Sequence, residues 1–136
     1  MRVLALLVIA LLTLSACGGE PAKMPDDVNV IVEMRDYKIE LNVATVKAGP
    51  VKFGIRNAGG MEHSFELIKT DLAPDKLPVD TGQAKAKEDG LLKQVKSIAP
   101  GKVAVVTANL EVGSYVIICN LAGHYQLGMR AALLVN

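Results

Sequence analysis

The residue types that could do chemistry lie close together near the end of the chain. Cys119, His124 and Met129 follow one another at five-residue intervals, directly after the apolar run 115–118. The chain has one other histidine, His63, at a position where a separate strand could begin. Two imidazoles, a thiolate and a thioether form the donor set of a mononuclear blue-copper electron-transfer site. The pattern therefore indicates a redox metal site.

Each of these residues also has a purely structural interpretation. A histidine on an apolar strand face, such as His63, is more often a core or surface residue than a metal ligand. Met129 taken alone is more often core filler, and Cys119 taken alone is more often a small buried hydrophobe. Their coincidence favours a metal, because thiolate and thioether suit Cu(I) while imidazole also suits Cu(II). A rigid setting would keep the geometry similar in both oxidation states.

The start of the chain is typical of an export signal. An apolar run from Val3 to Leu14 is short for a bilayer span and ends in small residues. Leu14-Ser15-Ala16-Cys17 resembles the lipobox of bacterial lipoproteins, in which the cysteine is lipidated and becomes the first mature residue. The alternative is an ordinary signal cleaved nearby, with Cys17 as a spare thiol. We expect a signal peptide over residues 1–16 and a lipid anchor that holds the protein on a bacterial membrane, facing the periplasm or the cell exterior.

Charge and cysteine content argue against a nucleic-acid partner and in favour of a metal at Cys119. Of the 15 Lys and Arg residues only Arg2 lies in the predicted signal, so the rest balance the 14 acidic residues. No basic patch indicates a nucleic-acid partner, and no charge block indicates an acidic or basic tail. If Cys17 carries lipid, Cys119 is the only thiol of the mature domain and no internal disulfide is possible. A free thiol is a liability in an oxidising compartment unless something such as a metal occupies it.

The elements that would position these donors are β-strands. Residues 17–27 contain Gly, Pro and charges without a periodic apolar face, which predicts a flexible tether. From Val28 apolar and polar residues alternate through Leu41, and the same period of two returns over 51–55. Further strands are predicted in the following ranges: 43–47, 63–69, 95–98, 103–110, 113–119 and 130–135.

Residues 70–92 differ from the rest. Pro and Gly surround a polar segment with no sustained apolar stripe, which predicts a long excursion with at most one short helix. Short strands joined by Gly and Pro turns predict an all-β fold, an antiparallel Greek-key sandwich formed by residues 28–136. The Cys–His–Met segment would then lie between two strands of one sheet, and His63 would come from another strand.

Across residues 28–136 the sequence resembles the cupredoxins, the plastocyanin and azurin superfamily of small blue-copper proteins. The resemblance rests on Val46-Lys47-Ala48-Gly49 before a strand, Asn57 and Gly60 ahead of Glu62-His63-Ser64-Phe65, Gly113-Ser114-Tyr115 leading to Cys119, and the spacing Cys-x₄-His-x₄-Met. That spacing resembles rusticyanin and auracyanin more than plastocyanin. The resemblance implies one type 1 copper per chain, held by His63, Cys119 and His124 with Met129 as a weak axial ligand.

Two finer expectations follow from the resemblance. Many cupredoxins have Asn after the first ligand histidine, whereas Ser64 at this position resembles rusticyanin, a high-potential member. A hydroxyl beside the metal's ligands tunes them, so we hypothesise a moderately high reduction potential; the alternative is a strand serine that faces solvent. The family also implies an electron port, with the edge of His124 exposed in an apolar patch formed by Gly59, Met61, Leu121, Ala122 and Leu127.

The leading hypothesis is a membrane-tethered electron carrier that exchanges electrons with a donor and an acceptor redox protein. A copper-binding or copper-delivery protein outside the cytoplasm could use the same ligands, although the Met-rich or His-rich segments that would favour it are absent from the mature sequence. An enzyme is disfavoured because both histidines are already used, and a binuclear copper site needs two nearby cysteines. Cys with two His also suits zinc, but the Met and the family resemblance favour copper. No small-molecule substrate is implied.

Overall fold

The computed structural model describes residues 22–136. It contains eleven strands and one short helix, in this order along the chain: β1 (Val30–Arg35), β2 (Lys38–Leu41), β3 (Thr45–Val46), β4 (Gly49–Asn57), β5 (His63–Lys69), β6 (Val79–Asp80), β7 (Lys85–Ala86), β8 (Leu91–Ile98), β9 (Val103–Leu110), β10 (Gly113–Ile118), α1 (His124–Leu127) and β11 (Arg130–Val135). Within these residues no helix is long and apolar enough to span a membrane.

The strands form two main sheets, which confirms the predicted all-β sandwich. One sheet has the order β2-β1-β4-β9, and the other has the order β3-β11-β10-β5-β8. The expectation of wholly antiparallel sheets was wrong, because β1 pairs with β4 and β3 pairs with β11 in parallel. A parallel pair needs a crossover connection. Here the chain leaves the first sheet after β2, adds β3 to the second sheet and returns as β4 beside β1.

The main core lies between the two sheets and follows the predicted alternation. Val30, Val32 and Met34 of β1 point inward and are fully buried, while the residues between them are more accessible. Phe53 of β4 meets Phe65 of β5 across the core, with ring centroids 5.8 Å apart. The rest of this core is mainly Val, Ile and Leu, which suit a pleated, half-buried surface.

The segment between β5 and β8 covers the outer face of the second sheet. It contains the short hairpin β6–β7 and no helix, which agrees with a long excursion that has at most one short helix. β8 begins at Leu91, four residues before its predicted start. The hydroxyl of Tyr125 donates to the carbonyl of Pro74 at 2.8 Å and accepts from the backbone N–H of Leu77 at 2.9 Å. A second apolar cluster forms under this cover from Ile68, Leu77, Ala86, Val116, Ile118 and Tyr125. As a result β5 and β10 are buried on both faces.

Candidate metal centre

Residues 119–129 form the loop that carries three of the four predicted donors, and a backbone hydrogen bond joins its two ends. Cys119 directly follows β10, and its backbone N–H donates to the carbonyl of Met129 at 3.1 Å. Met129 directly precedes β11, which pairs with β10 over its whole length. Both side chains are fully buried in the main core. Two paired strands therefore hold the thiol and the thioether at one end of the sandwich.

A single helical turn fixes the middle of the loop. The backbone N–H of His124 donates to the carbonyl of Leu121 at 2.9 Å, and its carbonyl accepts from the N–H of Met129 at 3.1 Å. Gly123 and Gly128 flank the turn with φ values of +83° and +120°. Both values lie where a side chain is strained, so glycine lets the chain enter and leave α1 abruptly. The imidazole of His124 is thereby directed back toward Cys119.

Three of the predicted donors converge. The sulfur of Cys119 lies 3.4 Å from Nδ1 of His124 and 3.8 Å from Nδ1 of His63. One donor atom from each of the three residues lies within 4.8 Å of the other two. The two imidazole rings are 5.3 Å apart at their centroids. With Met129 buried beside Cys119, the four donors are arranged as a type 1 copper site.

Asp36 orients His63, a role that sequence alone did not indicate. Oδ1 of Asp36 lies 2.9 Å from Nε2 of His63, and Oδ2 accepts from the backbone N–H of Gly60 at 2.8 Å. The hydrogen bond from Gly60, followed by that from His63, lowers the pKa of the Asp36 carboxyl below its ordinary value. An ionised carboxylate accepts the Nε2 proton and leaves Nδ1 free for a metal. Asp36 lies in the turn after β1, far from any ligand in sequence.

Ser64 lies against the sulfur of Cys119. Its backbone N–H donates to Sγ at 3.2 Å, and its hydroxyl oxygen is 3.6 Å from Sγ. The side chain is buried between the second sheet and its outer cover, so the solvent-facing alternative does not describe this geometry. Burial raises the pKa of the Cys119 thiol, while the N–H of Ser64 acts in the opposite direction. A bound metal cation would displace the thiol proton of Cys119, since a coordinating thiol is deprotonated.

Asn57 supports the segment that carries His63. Its side-chain amide donates to the carbonyls of Met61 at 2.8 Å and Ile98 at 2.7 Å, and its oxygen accepts from the N–H of Gly59 at 2.9 Å. The residue is fully buried at the end of β4. These bonds tie the 57–63 turn to the end of β8 and so hold the start of β5 in place.

His124 is the one imidazole of the pair that reaches the surface. Its ring meets the edge of the Tyr37 ring at 5.3 Å, and burial, followed by the neighbouring His63, lowers its pKa. A neutral imidazole is the form that binds a metal. Exposed apolar side chains occur in the adjoining segments, with Met61 38% and Leu127 60% accessible. Gly59, another expected port residue, is partly exposed and lies against the Asp36–His63 pair.

A family model described as a cupredoxin-like domain matches residues 4–135. The chain belongs to the cupredoxin-like family. This confirms the resemblance drawn from the ligand spacing. Cys17, the predicted lipidation site, lies outside the described residues, so the structure does not bear on it.

Solved structures share this cupredoxin fold. Auracyanin from the photosynthetic bacterium Roseiflexus castenholzii is 19% identical with a TM-score of 0.57, and the match covers 80% of this chain and 98% of that one. Rusticyanin from Thiobacillus ferrooxidans is 18% identical with a TM-score of 0.58, covering 79% and 75%. Auracyanin A of Chloroflexus aurantiacus, described as a blue copper protein, is 21% identical with a TM-score of 0.52, covering 79% and 98%. No curated protein sequence matches the chain.

Proposed function

We propose that this cupredoxin is a type 1 copper electron-transfer protein, tethered to a bacterial membrane through Cys17. The observation that carries the proposal is the convergence of two imidazole nitrogens and one thiol sulfur within 4.8 Å, on an otherwise apolar core. The donor set joins soft and borderline ligands that both oxidation states of copper accept. Within residues 22–136 the buried thiol of Cys119 has no disulfide partner, which also fits such an occupant.

Nδ1 of His63, Sγ of Cys119 and Nδ1 of His124 would hold the metal, with Met129 as the weak fourth ligand. Bound copper supplies a one-electron couple between Cu(I) and Cu(II). The chain's own contribution is rigidity, because the donors sit on paired strand ends and are fixed by further hydrogen bonds. A donor set that moves little on oxidation keeps the reorganisation on electron transfer small.

The partners would be a donor and an acceptor redox protein that meet the His124 edge. The apolar side chains in the adjoining segments would exclude water from a brief contact. Redox encounters bury little area, and their fully buried centre is depleted in charge. The proposal therefore needs no small-molecule substrate and no catalysis by the chain itself.

Copper delivery is the competing function for the same donors. A delivery site must release its metal, whereas His63 and Cys119 are fully buried here and only His124 is partly accessible. We expect the copper-loaded full chain in detergent to give a reversible one-electron wave in voltammetry. We also expect slow loss of Cu(I) to an excess of a competing chelator. Rapid release with no reversible wave would favour delivery and contradict the carrier function.

The anchor is tested separately. We expect the wild-type chain, expressed in a bacterium, to sediment with membranes and to show a diacylglycerol-type mass increase on its first mature residue. The Cys17→Ser variant should lose both properties and keep its metal site. A wild-type chain that is recovered unmodified in the soluble extract would contradict the anchor and leave the copper function standing.

A further inference from the structure

Glu66 is a buried carboxylate behind the metal centre. It lies on the outer face of β5, only 2% exposed, beneath the 70–90 segment. Its Oε2 accepts from the Ser64 hydroxyl at 3.1 Å and from the backbone N–H of Asn120 at 3.0 Å. Its Oε1 accepts from the side-chain amide of Gln94 at 3.3 Å. Among residues 22–136 no lysine or arginine forms an ion pair with it.

The surroundings of Glu66 favour its protonated form and still allow proton exchange. Burial raises the pKa of its carboxyl to about 7, and the nearby negative charge of Glu88 acts in the same direction. An open cavity of about 290 Å³ borders Glu66, and three charged side chains, Lys85, Glu88 and Lys96, line it with Gln94 and Asn120. Solvent protons therefore have a path to the carboxylate near neutral pH.

The Ser64 hydroxyl connects Glu66 to the ligand sulfur. It carries a single proton and has two acceptors within reach, the carboxylate of Glu66 at 3.1 Å and the sulfur of Cys119 at 3.6 Å. Its oxygen also accepts from the N–H of Asn120 at 3.0 Å. When Glu66 is ionised, the hydroxyl donates to the stronger acceptor, the nearer carboxylate. When Glu66 is protonated, its own O–H donates to Ser64, whose hydroxyl proton then turns to the sulfur.

We propose that Glu66 couples proton binding to the redox state of the metal centre through the Ser64 hydroxyl. With copper bound, reduction by the donor redox protein would raise the affinity of the Glu66 carboxylate for a solvent proton, and reoxidation would lower that affinity again. Two effects act in the same direction. The ionised carboxylate places a negative charge behind the ligands and withdraws a hydrogen bond from the thiolate, and each favours the oxidised state. This proposal rests on the copper function above.

The size of the coupling follows from the short path. The carboxylate and the thiolate are bridged by one hydroxyl, whose oxygen lies 3.1 Å from the first and 3.6 Å from the second. Charges this close in a partly buried site change proton affinity by about tenfold or more. For a one-electron couple, a tenfold change corresponds to about 59 mV. The reduction potential should therefore fall by about this amount as the pH rises through about 7.

The experiment is voltammetry of the copper-loaded full chain between about pH 5 and pH 9. We expect an inflection near pH 7 in the wild type. Glu66→Gln, which keeps the shape and removes the charge, should show the higher potential at all pH values and no inflection. Glu88→Gln is the matched control, since it removes a carboxylate from the same cavity; its inflection should persist, displaced slightly to lower pH. Ser64→Ala should keep the charge effect but lose the pH-dependent movement of the thiolate-to-copper band.

Carbon-13 NMR of the Glu66 carboxyl in the metal-free chain gives a second readout, and we expect it to titrate near pH 7. Titration near the ordinary value for glutamate would overturn the proposal. So would a strong thiolate-to-copper band with a flat potential in the wild type, or an inflection that survives unchanged in Glu66→Gln. Absence of the band altogether would instead overturn the copper function on which the proposal rests.

Discussion

The two faces of β5 show how one strand serves two purposes. Its inner face carries His63, Phe65 and Leu67, which are a metal donor followed by core residues. Its outer face carries Ser64, Glu66 and Ile68, which are polar near the metal end and apolar farther away. Because side chains alternate along a strand, the donor and the groups that set its electrostatics are sequence neighbours on opposite faces. Changes to the inner face should alter core stability and metal binding, and changes to the outer face should alter how the reduction potential and the stability depend on pH.

The largest effect expected on the inner face is that of Phe65→Ala. The ring is fully buried against Phe53, so its removal should cost about 3–5 kcal/mol of unfolding free energy. Urea unfolding of the metal-free chain at pH 7 measures this loss. The matched control is Leu92→Ala on exposed β8, which should change stability by less than about 0.5 kcal/mol. A loss below about 1 kcal/mol for Phe65→Ala would contradict the assignment of this face to the core.

The outer face should make stability depend on pH. The folded pKa of Glu66 is raised from 4.5 to about 7, so between these values the folded state binds more protons than the unfolded state. Its stabilising contribution is full below about pH 4.5 and is lost as the pH rises through about 7, a fall of about 3 kcal/mol. Unfolding of metal-free wild type and Glu66→Gln across this window measures the difference. If the unfolding free energies of the two proteins ran parallel across this pH range, ionisation of Glu66 in the folded state would cost no stability, which would contradict its raised pKa.

Asp36→Asn tests the metal end of the inner face, where His63 lies. The variant loses the carboxylate that holds Nε2 of His63 at 2.9 Å, so copper affinity should fall by about 10–100-fold. Competition with a chelator of known affinity measures this change. Glu33→Gln is the matched control. Glu33 lies on β1, which directly precedes Asp36, and its carboxylate pairs with Arg35 and not with a donor, so copper affinity should be unchanged. Equal affinities for Asp36→Asn and the wild type would show that the histidine is oriented without this pair.

The smallest predicted effect concerns the cover of the outer face. Tyr125→Phe removes the hydroxyl that joins Pro74 and Leu77, at a cost of about 1 kcal/mol. The loss should be local, so amide hydrogen exchange at Leu77 should accelerate while exchange in β4 stays slow. Faster exchange throughout both sheets would mean that the cover and the main core unfold as one unit.

Sequence alone predicted the features that depend on residue type and period. Residue type and spacing indicate the four donors, because Cys119, His124 and Met129 share one short segment and His63 is the remaining histidine. The alternation of apolar and polar residues also predicted which side chains of β1 and β4 point into the core. The burial of Glu66 could not be predicted, because an acidic residue between apolar neighbours is typical of a strand with one face in solvent. Only the tertiary placement of the 70–90 segment removes that face from water.

Asp36 was missed for a related reason. An aspartate in a turn is common and carries no signal of a distant partner, and its contact with His63 spans 27 residues. The parallel pairing of β1 with β4 and of β3 with β11 was missed as well, because the strand pattern does not encode which sheet a short strand joins. Contacts between distant segments are thus the part of the site that needed the structure.

The most direct test of the central claim is spectroscopic. The metal-free full chain, in detergent, is titrated with Cu(II) while visible absorption and electron paramagnetic resonance are recorded, with Cys119→Ser treated in the same way. We predict an intense blue or green thiolate-to-copper band and a small copper hyperfine splitting at one copper per chain, both absent in Cys119→Ser. A colourless protein, or one with an ordinary tetragonal Cu(II) signal that persists in Cys119→Ser, would contradict the type 1 site and the electron-transfer function built on it.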